Sequence, residues 1–137
     1  MSIFKEYNSK DICETSFLEI KNFKIGRLGE EIAKKYLQSK KYVIIDQNYR
    51  TRRAEIDLIV LHKRVLVFIE VRTKRGEKFG RPEESINRNK IIKLINSAKA
   101  YAARKKWEKK CRIDAVCIVL ENNCRVKCIS HYENIAF

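Results

Sequence analysis

The chain contains few of the residues that interrupt regular structure. Its 137 residues include one proline and four glycines, which excludes fibrous, collagen-like and low-complexity proteins. Hydrophobic residues make up 45% of the chain, and this share favours a packed core over a disordered chain. The length suits one domain with a modest core.

The side chains that bind structural zinc are also scarce. The two histidines, His62 and His131, lack ligand spacing, and the five cysteines contain no CxxC pair. An odd number of cysteines, with Cys117 inside the apolar run "DAVCIVL", is typical of reduced and mostly buried thiols in a cytosolic protein. A zinc site is the less favoured alternative.

Long uninterrupted hydrophobic runs are absent from the sequence. Charged residues divide residues 1–22 before the hydrophobic region of a signal peptide could form, and no later run is long enough to span a bilayer. We therefore predict a cytoplasmic protein with no membrane partner. Residues 1–22 are predicted to form an N-terminal extension, and residues 23–137 the domain.

Positive charge, in contrast, is abundant. Thirty-one Lys and Arg residues against 17 Asp and Glu residues give a net charge of +14. Residues 1–22 contain three basic and four acidic residues, so the excess lies in the rest of the chain. Such a charge favours a polyanionic partner, most simply nucleic acid, with an anionic membrane surface as the alternative.

The densest positive segment is "KAYAARKKWEKKCR", Lys99–Arg112, with seven basic residues and one acid. Phosphates could contact its Lys and Arg side chains, and an aromatic ring could stack on an exposed base. Tyr101 is predicted to be a core residue, whereas Trp107 could serve either purpose. The predicted nucleic-acid-binding residues are Lys99, Arg104, Lys105, Lys106, Lys109 and Lys110.

Hydrophobic spacing predicts an α/β domain in the order helix, three strands, helix, two strands. "FKIGRLGEEIAKKYLQSKKY" has apolar residues at intervals of three and four, as an amphipathic helix requires. This helix places Glu30 at the edge of the core and Glu31 in solvent. Strands follow in "YVIIDQNYR", "AEIDLIVL" and "VLVFIEVRTK". Pro82 is expected to start the second helix, with Glu83 and Glu84 near its positive end, and a hairpin turning at "ENN" ends the domain.

Three carboxylates lie within or beside the apolar runs of the second and third strands. A two-residue turn would place three pairs of residues opposite each other: His62 and Val65, Asp57 and Glu70, and Glu55 and Arg72. Opposed like charges are destabilising, so the cluster needs a positive group. Arg72 and Lys74 supply part of it, and a divalent cation would supply more, because carboxylate oxygens suit Mg²⁺. The structural alternative is a salt bridge between Glu55 and Arg72, with Asp57 capped by backbone donors.

Glu30 on a helix, Asp57 on one strand and Glu70-Val71-Arg72 on the next resemble the PD-(D/E)xK nuclease superfamily. "GRLGEEIAKKYL", "NYR…AEIDLI", "VFIEVRTK" and "FGRPEESI…K" are together similar to the YraN-like family of bacterial proteins, over about residues 24–119. The resemblance implies a restriction-endonuclease-like fold, a mixed β-sheet flanked by helices, related to archaeal Holliday-junction resolvases. It also implies a metal-dependent nuclease, for which DNA, including branched or junction DNA, is favoured over RNA as the substrate. A homodimer would suit such an enzyme, because a resolvase cuts two strands.

The resemblance further implies a role for each residue of the site. Asp57 and Glu70 would bind Mg²⁺ or Mn²⁺, and Glu30 would bind a second ion or orient a water. Arg72 would stabilise the charge that develops on the phosphate. Lys90 would contact the scissile strand, unless it is simply a solvated helix lysine. The supporting residues are Glu55, Lys74 and Lys90.

Two positions depart from the family pattern. Ala54 stands where the family usually has glycine, which would shift the start of the strand slightly. Arg72 stands where the superfamily has lysine, and an arginine cannot act as a base because its pKa is above about 12. Either the metal-bound water needs no lysine base, or Lys74 helps, or the activity is weak or absent.

Two functions without catalysis stay open. The fold could be a basic nucleic-acid-binding module with a vestigial site, or a structural protein of RNA-rich assemblies. Metal-dependent cutting of DNA or RNA would separate the nuclease from both, since phosphate contacts alone give only salt-sensitive binding.

Overall fold

The computed structural model describes residues 25–76, 78 and 80–136, so the extension predicted for residues 1–22 lies outside the described part. The elements follow the predicted order, with one added 3₁₀ turn. They are helix α1 (Ile25–Ser39), strands β1 (Val43–Arg50), β2 (Glu55–His62) and β3 (Val65–Arg75), the 3₁₀ turn (Pro82–Ser85), helix α2 (Arg88–Arg104), and strands β4 (Cys111–Leu120) and β5 (Val126–Tyr132). Neither helix in the described residues has the length and hydrophobicity that crossing a membrane requires.

The five strands form one sheet in the order β1-β2-β3-β4-β5. Strands β3 and β4 are parallel, and the other three neighbouring pairs are antiparallel. A parallel pair needs a crossover connection, and helix α2 provides it. The result is the mixed sheet flanked by helices that was predicted as a restriction-endonuclease-like fold.

Two hydrophobic clusters cover the two faces of the sheet. On one face, α1 packs against the inward side chains of the central strands, among them Val67 and Ile69 of β3. On the other face, α2 packs Leu94 and Tyr101 against Phe68. Because β3 alternates its side chains between the faces, it is buried on both sides. Tyr101 is 2% exposed, as predicted for a core residue.

The prediction that α2 starts at Pro82 is wrong. The segment Pro82–Ser85 forms only a 3₁₀ turn, and the next residue, Ile86, is extended with φ −94° and ψ 95°. Helix α2 begins at Arg88, where the extended residue Asn87 caps it by accepting a hydrogen bond from the Lys90 backbone at 2.9 Å. An Asn cap and an extended residue before it override the helix-starting preference of proline.

The β2–β3 hairpin has the predicted register. Lys63 and Arg64 form a two-residue turn with φ of 48° and 65°, the backbone of a type I′ turn. Pairing runs without a break from His62–Val65 to Leu58–Ile69. The ladder ends at this pair, and the next residue on each strand is an acid, Asp57 on β2 and Glu70 on β3.

Candidate active site

The site begins where the pairing of β2 and β3 stops. Asp57 and Glu70 occupy the next opposed positions, but they are not a backbone pair of the ladder. Instead, the backbone N–H of Val71 donates a hydrogen bond to Asp57 Oδ2 at 2.8 Å. The Asp57 carboxylate therefore accepts the hydrogen bond that a backbone carbonyl would accept in a regular ladder. Such a backbone donor to Asp57 was part of the structural alternative.

The ion pair between Glu55 and Arg72, which the structural alternative required, does not form. Arg72 Nη2 lies 3.0 Å from Glu70 Oε1 on its own strand, and Glu55 Oε2 lies 3.4 Å from Arg50 Nε. The physical reason is that regular pairing ends at Leu58, so the register no longer holds Glu55 opposite Arg72. Each of the two residues takes a nearer partner.

Glu70 is a buried carboxylate with one oxygen occupied and one free. Its residue is 3% exposed. Oε1 forms ion pairs with Arg72 Nη2 at 3.0 Å and with Lys90 Nζ at 3.5 Å, whereas Oε2 is buried without a hydrogen-bond partner among the described residues. A buried oxygen without a partner costs about 1–3 kcal/mol, and more when the group is charged. A carboxylate oxygen of this kind is suited to bind a positively charged ligand.

Burial and mutual repulsion raise the pKa values of the two central acids. Burial, followed by the charge of Asp57, raises the pKa of Glu70 to about 7, and the cations Arg72 and Lys90 only partly offset these effects. Burial also raises the pKa of Asp57, against the hydrogen bond from the Val71 backbone. At neutral pH the pair therefore lacks enough positive charge to ionise fully, and an added cation would stabilise it.

Glu30 reaches the site because α1 lies close to β3. Gly29 is buried, and a Cβ at that position would collide with the side chain of Thr73. Glycine therefore permits the close packing that carries its neighbour Glu30 to the sheet. Burial and the charges of Asp57 and Glu55 raise the pKa of Glu30. The predicted position of Glu30 at the core edge is confirmed, since it is half-buried.

Asn48 is a site residue that the sequence analysis missed. It lies on β1 between Gln47 and Tyr49, which pair with Leu58 and Ile56 on either side of Asp57, and its backbone is in the left-handed region with φ 52°. With its amide nitrogen turned towards the acids, as two carboxylate acceptors require, it donates to Glu30 Oε2 and Glu55 Oε1 at 3.1 Å each. Its only signal was its presence in a strand, where asparagine is depleted.

One cleft of 340 Å³ brings the predicted site residues together. All seven residues predicted for the catalytic, metal-binding and supporting roles line it: Glu30, Glu55, Asp57, Glu70, Arg72, Lys74 and Lys90. Lys90 is 26% exposed at its side chain and is bound to Glu70, so it is not merely a solvated lysine. We call this space the carboxylate cleft.

The carboxylate cleft offers two close acidic side chains, Asp57 and Glu70, to a divalent cation. No three acidic, His or Cys side chains within the described residues are arranged to hold a metal together, so Glu30 does not complete a three-carboxylate site. Asp57 and Glu70 alone still fit Mg²⁺, which is held in many enzymes by one or two carboxylates, waters and substrate phosphates. The free oxygen of Glu70 agrees with that requirement.

The predicted nucleic-acid-binding segment lies far from these acids. Its six basic residues are exposed, but they start in the second half of α2 and continue beyond its end. Lys90 and Arg104 are separated by about 21 Å along the helix axis at 1.5 Å per residue. Trp107 is half-buried and donates its indole N–H to the carbonyl of Lys110 at 3.1 Å, so it serves the fold.

The model of the uncharacterised protein family UPF0102 matches residues 29–118, about two thirds of the chain. The chain belongs to this family. The matched range includes every residue that lines the carboxylate cleft except Gly26, and the predicted resemblance to the YraN-like family is confirmed. The UPF0102 match also spans the exposed basic segment after α2.

Three UPF0102 relatives illustrate the likeness. A UPF0102 protein of Pelotomaculum thermopropionicum is 40% identical over 111 residues, which cover 80% of this chain and 92% of the relative. One from Lawsonia intracellularis is 35% identical over 85% of this chain and 87% of its own length. One from Syntrophus aciditrophicus is 32% identical over 88% and 97%.

Proposed function

We propose that this protein is a metal-dependent nuclease that hydrolyses phosphodiester bonds in DNA at the carboxylate cleft. The observation that carries the proposal is the state of Glu70. Its Oε2 is a buried carboxylate oxygen without a partner among the described residues, on a residue that lines an open cleft beside Asp57. A buried acid, Glu70, and a half-buried acid, Asp57, both with raised pKa values in one cleft, are typical of a functional site.

Asp57 and Glu70 would hold the cation. When bound, Mg²⁺ or Mn²⁺ supplies positive charge that polarises a phosphate and lowers the pKa of a coordinated water. Glu30, which Asn48 fixes through a hydrogen bond of 3.1 Å, would orient that water or hold a second ion. Burial raises the pKa of Glu30, which makes it a better proton acceptor than an ordinary carboxylate.

Arg72 and Lys90 would bind the phosphate. Arg72 keeps a buried Nε without a hydrogen-bond partner in the described part of the chain, so it can donate to a phosphate oxygen while its Nη2 stays on Glu70. A fixed donor of this kind stabilises the charge that develops in the transition state. Arginine cannot take the proton from the attacking water, which leaves Lys74 and Glu30 as the candidates for that task.

A second candidate function is a nucleic-acid-binding module without catalysis. The observation that favours it is the pair of cations already bound to Glu70 Oε1, at 3.0 Å from Arg72 and 3.5 Å from Lys90. These cations balance part of the carboxylate charge without a metal. A basic body would then bind phosphates by charge alone.

The deciding experiment is a cleavage assay with Mg²⁺ and Mn²⁺ on linear, flapped and four-way branched substrates of DNA and of RNA. Wild type is compared with Asp57→Asn, Glu70→Gln and the control Glu31→Gln. Glu31 is exposed on α1 and pairs with Lys34 at 3.2 Å, so its substitution removes the same charge outside the cleft.

Metal-dependent cutting that both cleft variants lose, while they still bind DNA and while Glu31→Gln still cuts, supports the nuclease. Binding by wild type without cutting on any substrate supports the module instead. Paired cuts in the two strands of a junction, together with a dimer mass by light scattering, would support the proposed homodimer.

A further inference from the structure

A second cleft lies beside the carboxylate cleft. It has a volume of 280 Å³ and is formed by the turn between β1 and β2 on one side and by α2 on the other. Lys90 in the carboxylate cleft and Ser97 in the second cleft are two helical turns apart, about 10 Å along the axis, and so they share one side of α2. The lining residues are Thr51, Arg52, Arg53, Asn96, Ser97 and Ala100.

Hydrogen bonds fix the backbone of this turn. The backbone N–H of Thr51 donates to the Ala54 carbonyl at 2.8 Å, and the backbone N–H groups of Arg53 and Ala54 donate to Thr51 Oγ1 at 3.3 and 3.2 Å. The hydroxyls of Thr51 and Ser97 lie 3.0 Å apart and join the turn to α2. Ser97 is 2% exposed, and this half-buried link gives the turn a defined position.

The two arginines of the turn, Arg52 and Arg53, are exposed to solvent. Neither forms an ion pair with a residue that the structure describes. This differs from Arg50, which binds Glu55 at 3.4 Å. Two free guanidinium groups on a fixed turn can bind the oxygens of one phosphate in a bidentate manner, and the Asn96 amide adds a donor at the same cleft.

We propose that this arginine subsite binds a backbone phosphate of the same nucleic acid whose scissile phosphate lies in the carboxylate cleft. The proposal rests on the proposed function and names the contact that positions its substrate. Ten ångströms along the axis of a B-form duplex corresponds to about three phosphates of one strand, at 3.4 Å per phosphate. The subsite thus holds the backbone a few nucleotides from the cut, nearer than the basic segment after α2.

The test compares two double variants that remove the same charge from two hairpin turns. Arg52→Gln with Arg53→Gln alters the subsite, and Lys63→Gln with Arg64→Gln alters the exposed β2–β3 turn. Binding of a labelled duplex and a labelled four-way junction is measured by anisotropy in EDTA, over a series of salt concentrations. EDTA prevents cutting, so the readout does not depend on catalysis.

The subsite variant should lose about tenfold or more in affinity at low salt, and the slope of log K against log [salt] should fall by about 1–2. The control should change affinity by less than about threefold. Equal losses in the two variants, or no binding by wild type, would overturn the proposal. Loss of binding to inorganic phosphate without loss of DNA binding would also overturn it, because the cleft would then be a site for a free anion.

The subsite and the nuclease can fail separately. If wild type binds but never cuts with any metal, while the subsite variant loses affinity as expected, the subsite stands and the nuclease falls. If wild type cuts and the subsite variant cuts with an unchanged KM, the nuclease stands and the subsite falls.

Discussion

Two buried acids on neighbouring strands are built in opposite ways. Asp114 on β4 is paired with Ile69, one residue before Glu70 on β3, and the two side chains point to opposite faces of the sheet. Asp114 Oδ1 accepts from Arg112 at 3.0 Å and from the Asn134 backbone at 2.9 Å, and Oδ2 lies 2.8 Å from His131 Nε2. Both oxygens of Asp114 are satisfied, whereas Oε2 of Glu70 has no hydrogen-bond partner in the part of the chain that the structure describes, and Glu70 lines a cleft.

The pKa values follow this difference. Burial alone would raise the pKa of Asp114, but hydrogen bonds from His131, Arg112 and the Asn134 backbone outweigh it, and the pKa falls below its ordinary value. Burial and Asp57 raise the pKa of Glu70 to about 7. Burial therefore does not mark a functional acid by itself; the number of donors that reach the carboxylate separates a structural acid from one that needs a further cation.

The largest expected effect is the loss of stability in Asp114→Asn. Removing one partner of a buried charge cluster costs about 3–5 kcal/mol, because Arg112 and His131 lose the charge that pairs them. The pKa of Asp114 is lowered in the folded protein. This stabilisation is therefore present when the pH is above the pKa of Asp114 in the unfolded chain, and it is lost as the pH falls through the pKa in the folded protein. Urea denaturation at several pH values measures it.

Glu70→Gln should show the opposite trend in the same series. The pKa of Glu70 is raised from 4.5 to about 7, so its stabilising contribution is present below pH 4.5 and is lost as pH rises through 7. Relative to wild type, Glu70→Gln should thus gain stability between pH 4.5 and 7. If the stability of both variants relative to wild type changed in the same direction with pH, the proposed difference between the two acids would be wrong.

Arg72→Gln should lower the rate of metal-dependent cleavage by about 10²-fold, because a donor aimed at the developing charge is lost. Arg72→Lys keeps a positive charge and is the matched control. We expect Arg72→Lys to retain most of the activity when kcat is measured at saturating DNA. If both variants lose equal activity, the geometry of the guanidinium matters rather than its charge.

Gly29→Ala should destabilise the fold by about 1–3 kcal/mol, as overpacking does in a tight contact. The added methyl group would meet Thr73 and push α1, with Glu30, away from β3. Gly26→Ala is a suitable control, since a Cβ there meets no atom within 4 Å. Thermal unfolding and Mn²⁺ titration of both variants check the prediction; equal behaviour would refute the close approach.

The affinity for Mn²⁺ should depend on pH through the cleft acids. Glu70, with a pKa of about 7, must lose its proton to bind a cation, so affinity should fall about tenfold per pH unit below 7. The raised pKa of Asp57 should steepen the fall at lower pH. Calorimetric titrations between pH 5.5 and 8, using about half-unit steps, measure it, and a flat profile would exclude Glu70 as a ligand.

Local patterns allowed much of this molecule to be predicted from its sequence. The period of the apolar residues gave the element order, and the two-residue turn gave the register from His62–Val65 to Leu58–Ile69. The carboxylates, placed by spacing and resemblance, do line one cleft. Each of these features depends on residues close in sequence or on a repeated period.

The features that could not be predicted depend on contacts between distant segments. Asn48 bridges Glu30 and Glu55 only because β1 and α1 meet beside the start of β2. Glu55 binds Arg50 and not Arg72, because the pairing of β2 and β3 ends at Leu58. Counting the register from the turn does not show where the pairing ends. The start of α2 depends on one capping residue, Asn87. The sequence pattern pointed instead to Pro82, which is a common first residue of a helix.

Anomalous diffraction from crystals soaked in Mn²⁺ can show whether Asp57 and Glu70 share a divalent cation, as proposed. We expect one peak in the carboxylate cleft, about 2–2.5 Å from an oxygen of each residue, and no such peak in Glu70→Gln crystals. A cleft without a peak, in which Lys90 and Arg72 still bind Glu70 at their present distances, would contradict this proposal.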